Sequence, residues 1–428
     1  MIKSFKFASI IFFLIILLTG CTKQSPQDNV REIEFWTLQL SGFSGYINGV
    51  IAEYERQNPD VKIKWIDVPF SEGEKRALAA VLSKNVPDLI NMNPTFGATL
   101  ASKGALTDIK QLISQEEYEN YPDFAWEASS IDGKVFGVPW YITSAVTFYN
   151  TEIIEKAGIQ AEELPQTYFE LEKIAPAVKR STGKFVLMPT LTENGWMLKF
   201  FNAAGIPIVN EAHDKALFNT PQAEEALAFW QRMYKNGYIP AESITQGHRE
   251  ALEKYLAGET AFIVAGANFL NIIKQNSPQV YAKTNVTKQL TGAFGGSENS
   301  AKGIDFSLMN LVIPKKSRYP QEALKFALFL TNAQNQLEFC KLAPILPSEI
   351  HALKSDYFTM GNESDLTVKS RLISASQLEN VVKPVPALQN SKDLNEIIDA
   401  MTQEVMLGYK SPKDALKKAV EEWNNILK

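Results

Sequence analysis

Six aromatic residues stand in turn-like segments beside amide, hydroxyl and carboxylate side chains. Trp36 and Phe43 flank Gln39 and Ser41, Phe96 follows Asn93 and Thr95, Trp140 and Tyr141 precede Thr143, and Trp196 follows Glu193 and Asn194. An aromatic ring offers a flat apolar face, while amides, carboxylates and hydroxyls exchange hydrogen bonds around it. That pairing suits a solute with apolar C–H faces edged by hydroxyls, which is a sugar or a polyol. The candidate ligand-binding residues are therefore Trp36, Gln39, Phe43, Asn93, Thr95, Phe96, Trp140, Tyr141, Glu193 and Trp196. Trp65, in an apolar-alternating strand, and Trp230 and Trp423, at helical spacing among apolar neighbours, read as core.

Covalent catalysis has little to work with. The only histidines are His213, His248 and His351, none in an H-E-x-x-H arrangement, and no G-x-S-x-G occurs. Gly42-Phe43-Ser44-Gly45 comes nearest and has the wrong spacing. His248, within Gly247-His248-Arg249-Glu250, reads as a solvated residue at a helix start. No catalytic residue, cofactor or metal ligand is nominated, although 48 acidic residues leave a carboxylate pair open. A surface-anchored, glycoside-acting enzyme thus stands as the alternative to pure binding.

The start of the chain bears on location. Lys3 and Lys6 precede an apolar run from Ala8 to Leu18, broken only by Ser9, and Leu18-Thr19-Gly20-Cys21 follows. A run that short is a secretion signal rather than a spanning helix, which needs about 20 apolar residues. Leu-Thr-Gly-Cys resembles the bacterial lipobox, so cleavage before a lipidated Cys21 is expected, with residues 21–31 as a polar, flexible tether. Loss of Lys3 and Lys6 takes the formal charge from −5 to −7, an acidic balance that argues against nucleic acid as a partner. Cys340 is then left without a disulfide mate and reads as a small buried residue.

Strands and helices alternate behind the tether. Ile33 to Trp36 and Val61 to Val68 read as strands, with a helical face of Ile47, Val50, Ile51 and Tyr54 between them. A helix from Glu72 to Ser83 leads to a third strand ending at Met92. Two strand-helix-strand units in succession imply a parallel sheet with ligands beyond the carboxyl ends of its strands, which puts Trp36–Gln39 and Asn93–Phe96 at one rim. Farther on come extended runs at 135–140 and 145–150, a strand from Ile304 to Pro314, a helix from Pro320 to Cys340, and two helices around Gly408-Tyr409-Lys410-Ser411-Pro412.

Ordered along the chain are Val86-Pro87-Asp88 with Gly104-Ala105-Leu106-Thr107-Asp108, Asp132 to Trp140 leading to Tyr149-Asn150, Ala157-Gly158-Ile159 before Pro165-Gln166-Thr167, Gly258-Glu259-Thr260-Ala261-Phe262 before Gly266, and Gly408 to Leu416. This ordered set resembles the solute-binding proteins of bacterial ABC importers, in the carbohydrate family of the maltose and multiple-sugar type. The resemblance implies an α/β, two-lobed periplasmic-binding-protein fold of type II with solute in the cleft. It implies a lobe one of residues 32–143 and 300–343, a lobe two of 144–299 and 344–428, and a signal of 1–20. It also implies permease subunits as partners, a monomer, a lipid-anchored location on a bacterial membrane, and no cofactor. A lipoprotein that signals to a receptor would share the fold. Where many relatives read Gly-Pro-Trp, this chain has Gly266-Ala267-Asn268-Phe269, so Gly266 and Asn268 join the candidate site at a more polar wall.

Overall fold

The described chain opens with two strand-helix-strand units. The computed structural model describes residues 30–83, 86–292, 303–382, 385, 388 and 390–428. The expected signal 1–20, Cys21, most of the tether and the 299/300 lobe junction lie outside the described residues.

Strand β1 (Arg31–Leu38) buries Ile33, Phe35 and Thr37 on one face, the period of two that a half-covered strand requires. It pairs in parallel with β2 (Val61–Val68) from Arg31↔Val61 to Leu38↔Val68, and with β3 (Leu89–Met92) at Phe35↔Leu89. The crossover helix Ser44–Gln57 buries Ile47, Val50, Ile51 and Tyr54, so its stripe lies on the core side. The second crossover helix, Phe70–Leu82, starts two residues before the expected Glu72, because Pro69 in extended geometry already delivers the chain to it.

Two short strands, β4 (Ser130–Ile131) and β5 (Lys134–Val135), form a separate hairpin around Asp132-Gly133, both left-handed at φ 49 and 74. The chain then enters β6 (Val138–Asn150), 13 residues long. Through Ser144 this strand pairs antiparallel with β9 (Phe306–Val312). From Ala145 it pairs instead with β7 (Phe262–Gly266), joined from Thr147 by β8 (Thr284–Thr287). The sheet order is β10-β6-β9-β3-β1-β2, where β10 is Leu346–Pro347.

Separate apolar cores form on either side of that change of partner. The first includes Phe35, Tyr54, Trp126, Trp140, Phe326 and Phe339. The second includes Leu171, Phe201, Trp230, Met233, Leu394 and Trp423.

Two stretches differ from the sequence expectation. The helix expected from Pro320 to Cys340 is two, Pro320–Leu330 and Ala333–Leu342, because Asn332 in extended geometry caps the second by accepting the Asn335 N–H. Beyond Ala343 the chain does not leave the first lobe's strands at once. Leu346 and Pro347 pair with Ile142 and Tyr141 of β6, and Phe358, Ala375 and Leu378 cluster with Ile142 and Cys340. Cys340 is buried, and burial pushes its thiol well above the usual range.

Candidate functional site

Where β6 changes partner, a cavity of about 590 Å³ opens between the two cores. Its first wall carries Asn93 and Thr95 at the start of helix α1 (Pro94–Ser102), Glu127 on α2 (Asp123–Ala128), Tyr141 and Thr143 of β6, and residues 305–309 at the head of β9. The facing wall carries Asn194, Gly195 and Lys199 at the start of α3 (Trp196–Ala203), with Ser391, Leu394 and Asn395 on α5 (Ser391–Met406) and Trp423 on α6 (Pro412–Leu427). The helix α4 (His248–Leu256) stands behind the Glu193–Gly195 turn.

Local sequence explains each wall. Asn93 ends β3 and caps α1, its side-chain oxygen accepting the Phe96 N–H at 2.9 Å, while Pro94 supplies a first-turn residue with no N–H to satisfy. On β6 the ladder to β9 slips between Pro139 and Tyr141: Pro139 pairs with Asn310, Tyr141 with Met309, and Trp140 is the extra residue of a bulge. Without the bulge, Trp140 would stand opposite Met309, which lines the cavity. With it, Tyr141 takes that place and Trp140 turns into the first core. There the indole is fully buried, stacked on Phe339 at 5.6 Å and tilted against Phe35 at 6.2 Å. Burial pushes the Tyr141 phenol well above its usual range, so it stays a neutral donor.

The facing wall turns on two consecutive left-handed residues, Asn194 (φ 53) and Gly195 (φ 66). A Cβ on Gly195 would lie 2.4 Å from Asn395 Oδ1, so any other residue here would push that amide aside and strain the left-handed backbone. Across the cavity Lys199 Nζ stands 3.9 Å from Asp305 Oδ2, and both side chains keep substantial exposure. Although solvent in the cavity reaches the Asp305 carboxyl, its place deep between the two walls desolvates it and raises it above its ordinary range, against the opposing pull of the Lys199 cation.

Of the residues nominated from sequence, Asn93, Thr95 and Tyr141 line this cavity together. The others do not. Trp36 donates its indole N–H to Glu34 and packs with the Phe136 cluster, beside Phe96. Gln39 is exposed at φ 55, and Phe43 sits edge-on against Phe339. Trp196 stacks on Phe200, one helical turn along, at 5.5 Å and meets Trp230 edge-on, so its ring serves the second core. Glu193 turns its carboxylate to the start of α4 and accepts the His248 N–H at 3.0 Å. Gly266 ends β7 opposite Ala145, with the exposed Asn268 folded over it.

Glu127, Lys199, Asp305, Ser307 and Asn395 were missed. Asp305 alone left a local trace, an acid between Ile304 and Phe306 at the mouth of an apolar strand. Trp423 is core, as expected, and also a wall. Among the described residues, no group of three or more His, Cys, Asp or Glu could hold a metal ion, and no helix is long and apolar enough to cross a membrane.

A cavity between two α/β cores that share one crossing strand defines a two-lobed solute-binding protein. Residues 49–362 match the family of bacterial extracellular solute-binding proteins, and the chain belongs to that family. The sn-glycerol-3-phosphate-binding periplasmic protein of Salmonella paratyphi A is 25% identical over 434 residues, with 93% of each chain covered. A crystal structure of a periplasmic-binding protein from Synechococcus sp. MITs9220, proposed to bind an oligosaccharide, is 33% identical with a TM-score of 0.81, over 92% of this chain and 98% of that one. The cyclic alpha-maltosyl-1,6-maltose binding protein of Arthrobacter globiformis, 19% identical, shares the fold at a TM-score of 0.79 over 93% of this chain and 99% of that one.

Proposed function

We propose that the protein captures a sugar, oligosaccharide or polyol glycoside in the interlobe cavity and hands it to the permease subunits of an ABC importer. The observation that carries this reading is the cavity lining itself. Asn93, Thr95, Thr143, Asn194, Ser307 and Asn395 line the cavity together with the aromatic residues Tyr141, Phe306 and Trp423. That is the mixture a polyhydroxylated solute with apolar faces needs, in a volume ordinary for small-molecule sites. The cargoes named for the relatives, glycerol phosphate and oligosaccharides, belong to the same polyhydroxylated chemistry.

Lobe one takes 32–143 and 300–343, and lobe two takes 144–299 and 344–428, except that β10 still pairs with the lobe-one part of β6. Support for the first crossing comes from the change of strand partner at Ser144–Ala145. The protein acts as a monomer.

Calorimetric titration against glucose, maltose, sucrose, trehalose, glycerol and sn-glycerol 3-phosphate tests the reading. At least one of the uncharged compounds binds, and chromatography of the bound glycoside shows no cleaved product. Steady product release would instead make the pair Glu127 and Asp305 a hydrolytic site.

Membrane attachment runs through Cys21 alone. Cys21→Ala leaves a soluble exported protein or an unprocessed precursor, read by detergent partitioning. A processed form that still partitions with detergent would reveal a second anchor.

A further inference from the structure

We propose that Asp399, which does not itself line the cavity, is the positioning residue of its second wall: as a carboxylate it holds the Asn194–Gly195 turn in the shape that receives solute. This rests on the reading of the cavity as the solute site. Asp399 lies one helical turn beyond Asn395 on α5, so one face of that helix both lines the cavity and reaches behind its wall. Its Oδ1 accepts the Gly195 N–H at 3.0 Å, and the Asn194 N–H also favours its ionised form. Both donors belong to residues in left-handed geometry, one of them not glycine, so the turn needs an outside hold to keep that shape. Glu193 anchors the same turn on its other side at the start of α4. Two carboxylates thus grip three consecutive residues, and Asn395 fills the space that Gly195 leaves.

The grip is proton-sensitive. Burial, the largest influence, pushes the Asp399 carboxyl up to about 6, the two backbone N–H groups pull it down, and the acids Glu193, from the turn, and Glu396, from its own helix, push it up. His248 lies beyond Glu193, and burial lowers its own protonation range. Protonation weakens a carboxylate as an acceptor of two N–H groups, so solute affinity falls as pH drops through about 6. Stability moves the other way. A carboxyl raised above its unfolded value contributes stability that is fully present below about pH 4 and is lost as pH rises through about 6. A merely structural residue would move affinity and stability together.

Hydrogen exchange of the Asn194 and Gly195 amides tests the grip without any solute. Titration with whichever of glucose, maltose, sucrose, trehalose and glycerol binds best tests its consequence. In Asp399→Leu, exchange at those two amides accelerates and affinity falls roughly ten- to a hundredfold, the range for losing a hydrogen bond to a charged group. In Asp399→Asn, which keeps an acceptor oxygen, the loss is smaller and the fall in affinity below about pH 6 flattens. Should Asp399→Leu fail to fold, Asp399→Asn and the wild-type pH series still decide. Unchanged exchange at 194–195, or an acid fall in affinity that survives in Asp399→Asn, overturns the proposal. If no compound binds the wild type, the solute reading fails, while exchange alone still decides the role of Asp399.

Discussion

Replacing Trp423 by alanine lowers the stability of the second core by about 3–5 kcal/mol, the usual cost of emptying a large aromatic site. The indole is 1% exposed and meets Phe218 edge-on at 5.1 Å. Its N–H donates to the Leu394 carbonyl at 2.9 Å, so truncation also removes one side-chain hydrogen bond that ties the last two helices together. Because Leu394 and Trp423 both line the cavity, affinity falls as well, a coupling that an indole confined to the core would not show. Denaturant unfolding followed by circular dichroism measures the first effect, and titration of the variant at low temperature measures the second. A stability change below about 1 kcal/mol would mean that the site collapses around the lost ring. Chains with more than one core commonly depart from two-state unfolding, so the transition is to be fitted with more than one step.

Saturating solute contracts the molecule and stabilises it. A solute that touches both walls favours the closed arrangement only through the contacts it gains there. With free solute at about 100 times the dissociation constant, the expected gain is roughly 2.7 kcal/mol, provided the unfolded chain does not bind it. The motion has a defined place, since Ser144 still pairs with Phe306 while Ala145 already pairs with Gly266. Small-angle scattering with and without solute checks the contraction, and thermal unfolding across a concentration series checks the mass-action gain. An unchanged radius of gyration at saturation would place binding on a fixed surface.

The parallel opening of the sheet was legible because its signals are local: an alternating strand, a helical stripe of Ile47, Val50, Ile51 and Tyr54, then another strand. The place of Asn93 and Thr95 at the cavity follows from the same signals, since the carboxyl ends of strands in such sheets open on crevices. Trp140 was misplaced because one inserted residue reverses the face of everything after it, and nothing in Val138-Pro139-Trp140-Tyr141 announces a bulge. Trp196 was misplaced because its partner Phe200 is a helical neighbour, so the pair satisfies a core as readily as a pocket. Lys199, Asp305 and Asn395 come from three separate passages of the chain, brought to one cavity only by the fold. No spacing rule joins residues so far apart.

Strand β9 lies in the interior of the first lobe's sheet, bonded on one side to β3 and on the other to β6. As the chain is synthesised, β3 and β6 appear long before the residues that pair with both of them, Asn310 and Leu311, and the face around Ile142 lacks its partners Leu308 and Leu346 until then. The second core waits longer still, because it closes Ile153 and Leu171 with Met401, Leu416 and Trp423. Contacts of such long sequence separation slow folding and leave apolar surface open to aggregation or chaperones in the meantime. A nascent chain therefore carries two unfinished cores at once, and only the arrival of the last two helices commits it to the folded state.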